Sequence, residues 1–299
     1  MVEQPFECPL CAGQGADPFL DLRDEMTGGE TQYALVRCRH CGLLRLHPAP
    51  DAPTLAAAYR SDYAPHTRRG LSGWAKGRLE GRSVRQLWAL FGPPRRVLDV
   101  GCATGELLVR IRAAGNPDVF GIEPGAEAAA VARRRGLPVI LGTLDDARLQ
   151  AESVDTVIMS HTLEHVADPL LTLREVARVL RPGGALVLWL PNASSVEARV
   201  LGRYWIGYDA PRHVTTFTVA TLSQALLSAG LDVDSVRHEA VGLEWAWGLR
   251  LWLRRRAPSV ERVLRRFHVP LIVAATPLAL IGALTQRSGR IRVIARKPA

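Results

Sequence analysis

The stretch Arg96–Leu108, RRVLDVGCATGEL, decides the fold of this chain. Its apolar run Val97–Val100 predicts a buried β-strand. Glycines follow at Gly101 and Gly105, and a helical pattern begins at Glu106. Strand, glycine turn and helix in this order suit a nucleotide site, because glycines let backbone N–H groups approach the ligand and a helix N-terminus presents unpaired donors. The same order also joins strands to helices in proteins that bind no nucleotide, so this stretch alone leaves both interpretations open.

The next predicted strand ends in a carboxylate. Val119–Ile122 is apolar, and Glu123 follows it 24 positions after Asp99. In a doubly wound α/β sheet such an acid lies at the carboxyl edge beside the glycine turn, where it can accept both hydroxyls of a ribose. The two strands together therefore favour the nucleotide-binding interpretation.

These two segments resemble motifs I and II of the class I S-adenosylmethionine-dependent methyltransferases. The matching residues are Asp99–Gly105, DVGCATG, and the Gly-Ile-Glu-Pro that ends at Pro124. The family has glycine where this chain has Ala103, and the extra methyl group narrows the approach to the cofactor. The resemblance implies an α/β, Rossmann-like sheet of seven strands with S-adenosylmethionine as cofactor. The cofactor-binding residues that it implies are Asp99, Gly101, Ala103, Gly105, Glu123, Leu144, Asp145 and Ser160.

Leu144 and Asp145 follow the third predicted strand, Leu137–Leu141, where related methyltransferases hold adenine through a backbone amide and an acid. Asp145 is equally compatible with a plain helix N-cap. Ser160 ends the fourth predicted strand, Val154–Ser160, at the carboxyl edge. The same strand–helix rhythm predicts a helix over Ala126–Arg135, a fifth strand over Ala185–Leu190, a helix from Val219, a sixth strand within Asp232–Ala240 and a seventh over Arg290–Arg296.

Two Cys-x-x-Cys pairs open the chain, Cys8–Cys11 and Cys38–Cys41, with 26 residues between them. Two such knuckles supply four thiolates, which is the ligand set of a closed, structural Zn²⁺ site. A redox pair or chance spacing is the alternative, and His40 or His47 could replace one cysteine. The segment between the pairs has a net charge of −3, the wrong sign for a surface that follows phosphates, so nucleic acid is disfavoured. We call residues 1–50 the ribbon. We expect it to pack against the rest of the chain, with strands over Thr31–Val36 and Leu43–Leu46.

The first half of the chain resembles bacterial methyltransferases that carry an N-terminal zinc ribbon, among them enzymes that act on nucleotide-linked or lipid-linked sugars. This resemblance implies a sugar or lipid-linked glycan as the methyl acceptor. Residues 51–95 continue with a helical pattern, in which Tyr59 and Tyr63 stand four apart. These tyrosines are predicted either to pack the ribbon against the core or to place a hydroxyl in the active site.

Three histidines are candidates for proton transfer. His161 and His165 follow the fourth strand directly, and His213 lies in the aromatic segment Arg203–Phe217, where the resembling proteins have Pro-x-His before Phe-Thr or Phe-Ser. A histidine can take a proton as the methyl group arrives, because its unperturbed pKa is about 6.5. We expect His213 to be the general base, with His161 or His165 lining the methyl-transfer cavity. The alternatives are a structural role for His213 in its loop and capping or packing roles for the other two.

The net charge of +9 is concentrated near the C-terminus. From Trp245 to Ala299 there are 12 Lys and Arg and one acid, Glu261. Within this region the apolar run 270–284, PLIVAATPLALIGAL, has 15 residues, which predicts a helix too short to cross a bilayer comfortably. Arginine blocks and tryptophans around the run favour peripheral contact of residues 245–284 with an anionic membrane surface. A dimer interface or a buried helix pair over the sheet edge is the alternative.

These patterns divide the chain into a zinc ribbon (1–50), a helical linker (51–95), a methyltransferase core (96–244), a helical insert (245–284) and the last core strand (285–299). The polar first residues and the Cys-x-x-Cys pairs favour a cytoplasmic protein, at the inner membrane face where the insert meets lipid. We expect a methyltransferase with a small-molecule acceptor, and a homodimer is compatible with the sequence. An RNA methyltransferase and a methyltransferase-like scaffold without catalysis are the alternatives.

Overall fold

The structure of this chain, a computed structural model, describes residues 5–59, 96–116 and 118–299. The strands in these ranges are β1 (Ala16–Arg23), β2 (Gln32–Cys38), β3 (Leu44–Leu46), β4 (Val97–Val100), β5 (Val119–Glu123), β6 (Val139–Leu141), β7 (Val154–Ser160), β8 (Leu180–Pro191), β9 (Thr215–Thr216), β10 (Asp232–His238) and β11 (Arg290–Arg296). The helices are α1 (Ala52–Ala58), α2 (Glu106–Ala113), α3 (Ala126–Arg134), α4 (Pro169–Val179), α5 (Val196–Leu201), α6 (Val219–Ser228), α7 (Leu243–Arg256), α8 (Pro258–Leu264) and α9 (His268–Leu284).

The central sheet has seven strands in the order β10-β11-β8-β7-β4-β5-β6. The strands from β8 to β6 run parallel, and β11 lies antiparallel between β8 and β10. One core cluster packs the sheet against α4 and α6, and a second packs it against α2 and α3. Continuous apolar strands such as Val97–Val100 are buried because helices cover both faces. The predicted Rossmann-like fold is confirmed, and the carboxyl ends of the parallel strands meet at one edge.

The cysteine-bearing segment forms a smaller sheet in the order β1-β2-β3-β9. Its fourth strand comes from the His213 segment, because Thr216 pairs with Leu44 and Thr215 pairs with Arg45. The predicted ribbon strands are found within one or two residues, but β1 was not predicted. Pro18 and the register shift between Pro18 and Leu20 interrupt the alternation that identifies a strand.

Several boundaries differ from the sequence-based expectation. The third strand begins at Val139, since Leu137 belongs to the turn after α3. The fifth strand begins at Leu180 and not at the expected Ala185, so residues 181–184, RPGG, lie inside β8. Within the helical linker the structure describes α1 and Tyr59, and the predicted helix around Tyr63 lies outside the described residues.

The insert consists of α7, α8 and α9. One helical run in the described ranges, Pro258–Leu284, is by length and composition long and apolar enough to cross a membrane. This run is longer than the 15 apolar residues of the sequence-based expectation, because α8 and the connecting turn directly precede α9; α9 itself has 17 residues. Only 17% of its most apolar window is buried, so a buried helix pair is wrong for α9.

Candidate functional site

The turn after β4 has the geometry of a nucleotide cradle. Gly101 and Gly105 have φ angles of +75° and +77°, which glycine adopts without strain. A Cβ atom at Gly101 would lie 2.6 Å from the hydroxyl of Thr162, which donates to the carbonyl of Val100 at 2.9 Å. Position 101 therefore requires glycine on two counts.

Glu123 is fixed beside this turn by two backbone donors. The N–H of Ala103 donates to its Oε2 at 2.8 Å, and the N–H of Gly125 donates to its Oε1 at 2.8 Å. Each carboxylate oxygen keeps a second acceptor position. Glu123 can therefore receive a pair of ribose hydroxyls without giving up the contacts that orient it.

Asp99 is the unusual acid of the cradle. It is buried, and its Oδ1 has no hydrogen-bond partner among the described residues. Burial, reinforced by the charge of Glu123, raises the pKa of Asp99 to about 8. A buried acceptor without a donor costs about 1–3 kcal/mol, so this atom marks a place where a ligand with donors or positive charge fits. S-Adenosylmethionine carries both hydrogen-bond donors and a positive charge, so it suits the carboxylates of Asp99 and Glu123.

The turn after β6 lies at the same edge, because the N–H of Gly142 donates to the last carbonyl of β5 at 3.1 Å. In this turn Leu144 is buried in the main core cluster and the side chain of Asp145 is exposed. No helix begins here, so the N-cap alternative for Asp145 is wrong. The turn is instead closed by a hydrogen bond, in which the hydroxyl of Thr143 donates to the carboxylate of Asp146 at 2.7 Å. Adenine binding by Leu144 and Asp145 stays a prediction.

His165 and His213 face each other at the carboxyl edge, with ring centroids 4.6 Å apart in an edge-to-face arrangement. Each Nδ1 atom lies 2.9 Å from a backbone carbonyl, that of Arg212 for His165 and that of Gly207 for His213. Because a carbonyl oxygen only accepts, both Nδ1 atoms carry hydrogen and both Nε2 atoms present a lone pair. Nε2 of His213 has no hydrogen-bond partner in the part of the chain that the structure describes, so it is available to accept a proton.

Glu164 adds a buried charge to this pair. Its Oε1 lies 3.1 Å from Nδ1 of His161, and ligating atoms of Glu164, His165 and His213 all lie within 4.8 Å of one another. Burial opposes ionisation of Glu164, but the hydrogen bond and charge of His161 outweigh it and lower its pKa to about 2. Burial, aided by neighbouring His213, lowers the pKa of His165 to about 4. At neutral pH, Glu164 is therefore ionised and His165 is neutral.

Two further residues complete this edge. Ser160 is the last residue of β7 and pairs with Trp189 of β8, and His161 follows it with a φ angle of +56°. The hydroxyl of Tyr59 lies 2.8 Å from Nδ1 of His165. The structure thus favours the second expectation for Tyr59, a hydroxyl that reaches the histidines.

One buried arginine fastens the His213 segment to the ribbon. The guanidinium of Arg212 donates to both carboxylate oxygens of Asp24, at 2.7 and 2.9 Å, and to both oxygens of Asp209. It also donates to the carbonyl of Ala58 at 3.1 Å. Its own carbonyl holds His165, so one residue connects the ribbon, α1 and both histidines. Sequence reasoning missed this role, although an acid and a base three positions apart in an aromatic segment were a signal.

The four ribbon cysteines converge. Sγ of Cys8 lies 3.5 Å from Sγ of Cys41, and Sγ of Cys11 lies 3.7 Å from Sγ of Cys38. A tetrahedron with Zn–S bonds of about 2.3 Å has edges of about 3.8 Å, so the sulfurs are spaced for that ion. All four positions of the group are cysteines, which leaves no place for His40 or His47. The residues present therefore fit a structural zinc ion.

Comparison with known proteins identifies the family of this chain. A family model described as a methyltransferase domain matches residues 72–236. This chain belongs to the class I S-adenosylmethionine-dependent methyltransferases. The match ends within β10 of the methyltransferase sheet and includes the glycine turn, Glu123 and the three candidate histidines.

The methyltransferase has relatives at moderate identity. It is 39% identical to an uncharacterised 37.1 kDa protein from a transposon of Streptomyces fradiae, over 48% of this chain and 45% of that protein. It is 31% identical to an uncharacterised protein of Mycobacterium tuberculosis, over 63% of each chain. A ubiquinone biosynthesis O-methyltransferase of Cereibacter sphaeroides is 31% identical over 52% of this chain and 67% of that enzyme. The matches thus span roughly half to two thirds of these proteins.

Solved structures share the fold. A putative sarcosine dimethylglycine methyltransferase from Galdieria sulphuraria superposes with a TM-score of 0.54, at 15% identity, over 79% of this chain and 91% of that one. An S-adenosylmethionine-dependent methyltransferase from Archaeoglobus fulgidus gives 0.50 at 19% identity, over 74% and 94%. These likenesses support the architecture of the sheet.

The Ala103→Gly substitution should stabilise the methyltransferase. Ala103 has a φ angle of +48°, a left-handed conformation that strains alanine, and glycine relieves that strain. We expect the free energy of unfolding to rise by up to about 1 kcal/mol, net of glycine's larger chain entropy. Ala128→Gly within α3 is the control and should lower it by about 1 kcal/mol. Urea denaturation measures both, and a loss of stability in Ala103→Gly would contradict the argument.

The Arg212→Met substitution should destabilise the protein strongly. It leaves Asp24 and Asp209 as buried carboxylates without their cation, which costs about 3–5 kcal/mol. The matched control is Arg199→Met, which removes an exposed arginine from α5 and should change the free energy of unfolding by less than about 0.5 kcal/mol. Equal effects in urea denaturation would show that the buried cluster does not hold the structure together.

Proposed function

We propose that this chain transfers the methyl group of S-adenosylmethionine to a sugar or lipid-linked glycan, with His213 as general base. The observation that carries the proposal is the orientation of His213, whose Nδ1 donates to Gly207 and whose Nε2 therefore presents its lone pair. When bound, S-adenosylmethionine supplies an electrophilic methyl group on a positively charged sulfur. The residues of this chain then have to align the acceptor and remove one proton.

The surroundings of His213 suit a base. Transfer of the acceptor's proton to Nε2 makes His213 an imidazolium, and ionised Glu164 stabilises that positive charge. His165 does not compete for the proton, because its pKa of about 4 keeps it a weak base. Its ring instead packs against that of His213 and restricts its orientation.

Binding of the cofactor is assigned to the cradle. Glu123 would hold the ribose hydroxyls, the turn from Gly101 to Gly105 would admit the ligand at its two glycines, and Asp99 would receive a donor or a positive charge. Leu144, Asp145 and Ser160 would line the remainder of the cofactor site at the same edge.

Two observations support the acceptor class. The zinc-ribbon arrangement resembles sugar-modifying methyltransferases, and the relative from Cereibacter sphaeroides is an O-methyltransferase by name, which supports an oxygen acceptor. An RNA acceptor is disfavoured, because the ribbon is acidic and its acids bind cations of this chain. Arg255, for example, contacts both Glu25 and Glu30.

Cofactor binding and turnover should separate in two variants. Glu123→Ala should weaken S-adenosylmethionine binding in calorimetry by about 1.5–3 kcal/mol, the value of hydrogen bonds to a charged group.

His213→Gln should bind the cofactor normally and lose about 10²–10⁴-fold in turnover. Turnover is measured as release of S-adenosylhomocysteine with a panel of nucleotide-linked and lipid-linked sugars. A folded wild-type protein that does not bind the cofactor would favour the scaffold alternative, and a fully active His213→Gln would end the proposed role of His213.

We also propose that the cysteine cluster holds one structural zinc ion. Metal analysis of the purified chain should find one zinc per chain, and Cys38→Ser should lose it, because a three-thiolate site is incomplete. Cys102→Ser is the matched control, since this fifth cysteine lies in the glycine turn and should leave the zinc content unchanged. Zinc retained in Cys38→Ser would contradict the assignment.

A further inference from the structure

Helix α9 buries small residues and exposes large apolar ones, which is the reverse of a helix that faces water. Its buried face consists of small residues, Ala275, Ala279 and Gly282, which pack on the protein. Its large residues face outward, and Val273 and Leu284 are 67% and 77% exposed. A soluble surface helix places its large apolar side chains inward, because burial of each is favourable. The outer face of α9 is therefore built to meet something other than water.

The apolar surface extends beyond α9. Val260 and Val263 of α8, Phe267 in the connecting turn and Trp252 of α7 are also exposed. Between α5, α7 and α9 lies a cleft of about 550 Å³ whose lining is almost entirely apolar. We call these residues and this cleft the apolar face. Its exposed apolar side chains lie on three adjacent helices, whereas exposed apolar side chains on soluble proteins are normally scattered singly.

Arginines border the apolar face. Arg254 and Arg255 bind the ribbon, and Arg250 pairs with buried Glu261, so these three serve the fold. Four others are exposed and form no ion pair with any described residue: Arg256, Arg262, Arg265 and Arg266. Free guanidinium groups beside large apolar side chains complement an anionic headgroup layer above hydrocarbon.

The packing of α9 sets its orientation. A Cβ atom at Gly242 would lie 2.2 Å from the carbonyl of Ile272, so α9 lies closely against the start of α7. Near its other end, Gly282 approaches the backbone of Ser288, just before β11. The helix is therefore attached sideways to the protein along most of its length. A membrane-spanning orientation would draw α7 and the edge of the sheet into hydrocarbon, whereas a helix lying in the interface would not.

We infer that the apolar face docks on the surface of an anionic phospholipid bilayer, with α9 lying in the interface and Arg256, Arg262, Arg265 and Arg266 on the headgroups. The occupant is the lipid leaflet itself. This goes beyond methyl transfer and does not depend on which acceptor the site takes.

Sedimentation with vesicles tests the inference on the full chain. We expect binding to phosphatidylcholine vesicles that contain 30% phosphatidylglycerol, weaker binding to phosphatidylcholine alone, and a loss at high salt. Val273→Glu together with Ile281→Glu should weaken binding at least tenfold. Arg265→Gln and Arg266→Gln should each cost about fivefold on the anionic vesicles only. The matched control is Leu227→Glu on α6, an apolar residue 60% exposed elsewhere on the surface, which should bind as wild type.

Thermal melts and S-adenosylmethionine titration of each variant show whether it is folded, independently of vesicle binding. Three results would overturn the inference. The first is the absence of binding by the folded wild type. The second is a wild-type dimer, seen by light scattering, that Val273→Glu dissociates, which would make the apolar face an interface between copies. The third is membrane-expressed protein that resists carbonate extraction, which would make Pro258–Leu284 a span.

Discussion

The arrangement of this protein depends on a buried cation between two carboxylates. Arg212 is completely buried, and such a charge is tolerated only where its hydrogen bonds are satisfied. Asp24 from the ribbon, Asp209 from its own segment and the carbonyl of Ala58 satisfy them. Because the three partners come from separate parts of the chain, the charge can be buried only when all of them have assembled. A hydrophobic contact would allow the ribbon and the His213 segment many relative positions, whereas the directional hydrogen bonds of Arg212 allow one.

The cluster explains the position of the proposed base. His213 follows Arg212 directly, Val214 bonds to Leu46, and the next two residues form β9 on the ribbon sheet. Trp205 and Tyr208 on the other side of the base pack into the core of the same ribbon. The segment that carries His213 is thus supported by the small sheet, while the cradle for the cofactor is supported by the large one. Two of the acids of the ribbon serve the same packing, since the carboxylate of Asp24 binds Arg212 and that of Glu25 binds Arg255.

The large sheet and the local motifs were predictable from the sequence, and the links between them were not. Strands β7 and β11 match the expectation to the residue, because each has a centre of apolar, largely β-branched residues, VIM in β7 and VIA in β11. The cradle and the cysteine knuckles were found because each is a short-range pattern of residues fixed by geometry. The pairing of Asp24 with Arg212 joins residues 188 positions apart, and no local spacing signals such a contact. The sequence also left open whether α9 faces outward or is buried, because a run of apolar residues has the same composition in both places.

The short pairing of β9 with β3 has a thermodynamic consequence. Two strand residues on each side join the segment of His213 to the sheet that follows the cysteine knuckles. Any ligand that binds better when this pairing is formed is coupled to every other ligand that prefers the same state, and coupling of binding free energies is reciprocal. If metal binding to the four cysteines and ligand binding beside His213 both favour the paired state, each raises the affinity of the other, and the two factors are equal. Metal retention in the ribbon would then report on the binding of a ligand beside His213.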